Sequence, residues 1–149
     1  MNGNSGDGMK NLWKCPKCKR EFEKKGQMHS CNLYPVSEHL KGKEKIAKPL
    51  YNELKKKIKE NIGSFKVESL PCCIHFVSSY TFAAVYAMKD KIKINFSLDR
   101  KLVSPRLRSQ QFSANRYMYE LDVKDKKELD EELIGWLKMA YNFKRKFNR

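Results

Sequence analysis

The 149-residue chain carries 32 Lys and Arg against 17 Asp and Glu, a formal charge of +15, with 40% hydrophobic residues. This length holds one ordinary domain with a small module beside it, and the balance of charged and apolar residues fits a folded chain better than a disordered one. No apolar run approaches the roughly 18 residues of a membrane span, no signal-peptide core is present, and five clustered cysteines suit no disulfide framework. The expectation is a basic cytoplasmic protein with no membrane partner.

Residues 1–11 begin Met-Asn-Gly-Asn-Ser-Gly, apolar-poor, and read as a disordered leader. Residues 12–33 read as a zinc finger. Cys15 and Cys18 have the two-residue gap that brings two sulfurs to one ion, and Pro16 presets the turn. His29 and Cys31 complete a tetrahedral shell of three sulfurs and one nitrogen. Such a shell leaves no open position for water or substrate, so the expected cofactor is a structural Zn2+. Trp13 and Phe22 are the large aromatics available for a miniature core. Three loose thiols would be an oxidation liability. A redox Cys-x-x-Cys belongs in a strand–helix setting that this stretch lacks. His39 is the alternative to His29 or Cys31.

Tyr34-Pro35 breaks the chain, because a residue before proline avoids the helical region. Residues 36–149 read as an α+β domain: a helix, four or five antiparallel strands and a C-terminal helix. Ser37 starts a short helix as its cap. Lys48–Asn61 is a helix, with Leu50, Leu54, Ile58 and Ile62 recurring every four residues, Pro49 in its first turn and Gly63 at its end. Phe65–Leu70, Cys73–Val77, Phe82–Met88 and Lys91–Leu98 have strand chemistry, and Lys89-Asp90 is a candidate hairpin turn. Ser104–Phe112 holds Pro105 and no periodicity, so a loop is expected there. Arg116–Val123 is a further strand candidate. Asp125–Phe147 is the strongest helix, with Asp125 and Glu128 as a capping box and a stripe through Leu129, Leu133, Leu137, Ala140 and Tyr141.

The charge is clustered. Residues 41–59 hold eight Lys and two Glu, residues 89–108 seven basic and two acidic residues, and residues 10–31 seven basic residues and two Glu. Compositional bias explains why 25 of the 32 cations are Lys, but not the excess over acids. A surface that tracks phosphates explains the excess and its clustering. The candidate nucleic-acid contacts are Lys17, Lys19, Arg20, Lys55, Lys56, Lys57, Lys91, Lys93, Arg106 and Arg108. Interleaved aromatics in Arg116-Tyr117-Met118-Tyr119 and at Phe112 would suit stacking on bases, but ordinary strand composition accounts for them as well and is the reading preferred.

Other residues invite a bland reading. Adjacent Cys72 and Cys73 do not easily face one ion, so core packing is expected of both. His75 is expected to face solvent or to be satisfied locally. Asp99-Arg100-Lys101 has the carboxylate-x-Lys form found in metal-dependent nucleases, which would need Glu120 and Asp122 to converge with Asp99.

Trp13-x-Cys15-Pro16-x-Cys18-x-x-x-Phe22 followed by Gln27-x-His29-Ser30-Cys31 resembles the zinc finger that precedes members of the domain-of-unknown-function 5655 family. Ile74-x-Phe76, Phe82-Ala83-x-Val85, Ile92-x-Ile94-x-Phe96-x-Leu98 and Leu129-Asp130-x-Glu132-Leu133-x-Gly135-Trp136-Leu137 resemble the family's body. Many members carry glycine where this chain has Lys19. The resemblance implies a compact α+β domain. The family's loose label of transport proteins finds no membrane segment here, and similar domains stand beside nuclease-like ones. The leading expectation is a non-enzymatic zinc protein that binds DNA or RNA. A protein-interaction or small-ligand module is the alternative, and a small nuclease the third reading.

Overall fold

The computed structural model describes residues 12–22, 24–26 and 34–147, without the side chains of 144–147. The leader expected at 1–11 lies outside the described residues. The chain divides into two units, residues 1–34 and 35–149. In the first, β1 (Trp13–Lys14) pairs antiparallel with β2 (Glu21–Phe22), and Trp13 stands opposite Phe22.

The second unit is α+β. It runs α1 (Val36–Leu40), α2 (Ala47–Asn61), β3 (Lys66–Ser69), β4 (Ile74–Val77), β5 (Thr81–Ala87), β6 (Ile92–Leu98), β7 (Arg108–Ser113), β8 (Arg116–Val123), a 3-10 turn (Lys126–Glu128) and α3 (Glu131–Phe147). The six strands form one antiparallel sheet in the order β3-β4-β5-β6-β8-β7. Alternation along β6 decides which side is covered. Ile92, Ile94, Phe96 and Leu98 are buried, while Lys93, Asn95 and Ser97 are half-buried on the other side. The covered side packs under α2, through Leu50, Leu54 and Ile58, and under α3, through Leu133, Leu137 and Ala140. Fully burying one such aliphatic side chain contributes about 1.5–3 kcal/mol. Among the described residues, α2 and α3 pack their core side chains on the covered side only.

Lys89-Asp90 forms the expected turn between β5 and β6, closed by Met88 N–H donating to the Lys91 carbonyl at 2.9 Å. Several expectations need correction. The sheet has six strands, not four or five, because Arg108–Ser113 is a strand and not a loop. All six of its residues are exposed, so no apolar alternation marked it; pairing with β8 makes it a strand. Ser37 does not cap α1, whose N-cap is Pro35 without a side-chain bond. The helix expected from Asp125 is broken. The Asp125–Glu128 capping box exists, but it closes only the 3-10 turn. Asp130 then starts α3, accepting from the Leu133 amide at 3.0 Å.

Candidate functional site

The knuckle between β1 and β2 is held by its own backbone. Lys19 N–H donates to the Cys15 carbonyl at 2.8 Å, and Cys15 N–H to the Arg20 carbonyl at 2.9 Å. Cys15 and Cys18 are both buried and form no disulfide, whereas Lys14, Lys17 and Lys19 are exposed. Lys19 takes a φ of 66°, the left-handed conformation that glycine adopts without strain. Trp13 and Phe22 meet at 6.1 Å between ring centroids, and Arg20 lies over Phe22 at 5.3 Å. Two buried sulfurs on one tight turn fit one half of a tetrahedral metal shell. His29 and Cys31, the expected other half, lie outside the described residues. His39 is engaged elsewhere: its Nε2 is 2.7 Å from the Leu70 carbonyl oxygen.

The candidate phosphate contacts separate into two kinds. Lys91 meets Asp122 at 3.1 Å, Lys93 meets Glu120 at 3.0 Å, and Arg108 reaches Asp122 at 3.0 Å and Glu120 at 3.5 Å. Arg106 bonds Asp130, Glu132 and the Glu128 carbonyl, and lies over the Trp136 ring at 5.6 Å. These four cations are tied into the domain, with Arg106 riveting the 99–107 loop to the start of α3. Lys48, Lys55, Lys56 and Lys59 make no ion pair with a described carboxylate. At 100° per residue, Lys48, Lys55 and Lys59 lie within about 40° of one another around α2. Lys56, with Lys55, Lys59, Asn52 and Glu60, lines a shallow depression there. Lys57 points about 160–200° away from Lys55. Lys55 and Lys59 also rest on aromatic faces, Tyr51 at 4.9 Å and Phe65 at 5.9 Å.

The open sheet face is polar and ordered by register. Glu68, His75, Ala84, Asn95, Glu120 and Arg108 form one row across all six strands. Lys93 hydrogen-bonds Glu120 and holds its carboxyl below the usual range, with Arg108 adding to the effect. Arg108, then Lys91, does the same for Asp122. Asp99 does not join these carboxylates. It follows Leu98, whose partner is Tyr117, so it stands about four residues, or 13 Å, along the strand from Glu120. It pairs with its neighbour Arg100 at 3.1 Å. Tyr119 is fully buried, its hydroxyl accepting from Leu102 N–H at 2.6 Å and donating to the Arg100 carbonyl at 2.8 Å. It is therefore core and not a stacking platform, while Phe112 is exposed on the edge strand.

At one end of this face the chain brings together two thiols and an imidazole. Leu70 N–H donates to the Cys73 carbonyl at 2.9 Å, closing a turn with Pro71 and Cys72 at its tip. Cys72 is exposed, not core as expected, and Cys73 is buried. Their sulfurs are 3.0 Å apart, and with the His75 ring the donor atoms all lie within 4.8 Å of one another. Burial, and then the Cys72 side chain, push the Cys73 thiol up to about 11. Burial and a hydrogen bond to Cys73 push Tyr86 up to about 12. Burial lowers His75, with Glu68 acting against it. The sequence signal was present, because residues 73 and 75 share a strand face. What hid the cluster is the turn, which folds Cys72 back over its neighbour.

No helix among the described residues is long and apolar enough to cross a membrane. No curated protein and no solved structure matches the chain. One family model matches residues 36–144, the unit built on this six-stranded sheet, and the chain belongs to the family it describes, the domain of unknown function DUF5655.

Proposed function

We propose that this DUF5655 protein is a non-enzymatic, zinc-stapled binder of nucleic acid that grips the phosphate backbone through lysines. One observation carries the reading: the lysines along one flank of α2 meet no described carboxylate, whereas those of the sheet do. Lysines of this kind, in a chain of net charge +15, are the ones able to replace condensed counterions. In the finger, exposed Lys14, Lys17 and Lys19 offer the same chemistry. Zn2+ would be held by Cys15 and Cys18 with His29 and Cys31, and would supply the closure that so short a hairpin lacks.

Binding to RNA, single-stranded DNA and duplex DNA at several salt concentrations tests this. Replacing Lys55, Lys56 and Lys59 together by Gln is expected to weaken binding alike across sequences. It should also flatten the plot of log affinity against log salt by up to about 0.7–0.9 per lost contact. Lys57→Gln, on the other side of the helix, should leave the slope unchanged. Absence of any nucleic-acid binding by the wild-type protein at low salt defeats the proposal.

A second reading, a small-ligand site on the open sheet face, has one observation in its favour. The Asn95 side-chain oxygen is buried without a hydrogen-bond partner, beside a shallow depression lined by Ala84, Tyr86, Ser97 and Met118.

A further inference from the structure

We propose that Cys72, Cys73 and His75 form a second metal site, separate from the finger, that takes a soft monovalent ion of the Cu(I) class in a three-coordinate set of two sulfurs and one nitrogen. The three donors already lie within 4.8 Å of one another, and among the described residues no fourth Cys, His, Asp or Glu joins the group. Structural zinc sites close with four protein ligands. Thiolate and imidazole donors in low number select a soft ion instead.

The geometry is held from several sides. Pro71 fixes one dihedral of the turn, the Leu70–Cys73 hydrogen bond closes it at 2.9 Å, and His39 on α1 bonds the Leu70 carbonyl at 2.7 Å. Cys73 and His75 alternate by two and so project to the same sheet face. Glu68 stands directly opposite His75 on β3, the place from which a carboxylate orients a ligating imidazole. Cys73 is buried while Cys72 is exposed, so an ion enters past Cys72 and a rotation of that side chain opens the 3.0 Å sulfur contact around it. Binding replaces the two S–H protons, which pass to solvent.

A disulfide is the poorer use of the same pair. Adjacent Cα atoms are about 3.8 Å apart, below the roughly 4.4–6.8 Å span that an unstrained bridge requires. The dithiol therefore persists where the bridge would be readily reduced.

The test uses full-length, zinc-loaded protein under anaerobic reducing conditions, titrated with Cu(I) against the chelator bathocuproine disulfonate, with zinc measured in the same samples. Wild-type protein is expected to take up one Cu(I) and keep its zinc. Cys72→Ser, at an exposed position that does not threaten folding, and His75→Gln should each weaken uptake by more than the roughly 10–100-fold that loss of a mere outer partner of a ligand causes. The Cys15→Ser, Cys18→Ser double variant should retain the copper site. Three results overturn the proposal: uptake unaffected by Cys72→Ser and His75→Gln; copper that expels zinc and is lost with Cys15 and Cys18; or a reduced protein that holds Zn2+ at Cys72 in preference to Cu(I).

Discussion

The Tyr141 hydroxyl, on the last helix, donates to the carbonyl of Ser64 at 3.0 Å, across 77 residues of chain. It thereby ties α3 to the exit of α2, where Gly63 leaves no side chain in the way. A Cβ on Gly63 would stand 3.0 Å from that hydroxyl. Gly63→Ala should therefore destabilise the domain, and by less when Tyr141 is already Phe. Tyr141→Phe alone should cost about 0.5–1.5 kcal/mol. Equal costs of Gly63→Ala in both backgrounds, from urea midpoints, would show that the hydroxyl is not what the new methyl meets.

Leu133 is fully buried on the first turn of α3, among the residues packed on the sheet. Leu133→Ala should cost about 2–5 kcal/mol, the transfer loss plus the cavity left behind. The slope of the denaturation curve should stay the same. A midpoint that hardly moves would mean that the neighbouring α2 and sheet side chains collapse into the space.

Elemental analysis of protein purified without chelator should find one zinc in the finger. Cys18→Ser should abolish it and melt the β1–β2 hairpin while the DUF5655 domain stays folded. Lys19→Gly should act in the opposite sense. Removing the Cβ at a φ of 66° relieves about 1 kcal/mol, so zinc affinity should rise by roughly fivefold. Unchanged or weaker zinc binding in that variant would count against a left-handed residue in the metal-bound knuckle.

The open face predicts an acid limb. Arg108 holds Asp122 down, and Lys93 holds Glu120 down. Asp130 is lowered as well: burial opposes it, but the Leu133 amide and Arg106 prevail. Between each depressed folded value and the ordinary carboxylate range near 4, the unfolded chain binds more protons, so stability rises with pH. This contribution is complete above about pH 4–5 and is lost as pH falls through the folded values. Urea midpoints followed downward from about pH 5 should fall less steeply in Arg108→Gln than in the wild type. Parallel curves would assign the acid loss to other carboxylates.

Residue periodicity alone was enough for the two long helices, apart from the break before Glu131, and for most of the strands. Leu50, Leu54 and Ile58, the alternation of Ile92 to Leu98, and the stripe through Leu133 and Leu137 each bury one face, and burial is what periodicity reports. The Cys15–Cys18 spacing likewise specified its own turn, because every bond that closes it is local. Partnerships made across the sheet were not legible. Arg108–Ser113 has no buried face and becomes a strand through the carbonyls and amides of β8. Lys91, Lys93, Arg106 and Arg108 look like free cations in the chain. Only register and the packing of the 99–107 loop set Asp122, Glu120 and Asp130 beside them. The Cys72–Cys73–His75 group depended on a turn pinned from α1 by His39, a contact between residues 31 apart in the chain. Hydrophobic pattern is a property of each segment. Ion pairs and ligand sets belong to segments that meet, and the meeting is decided by the tertiary structure.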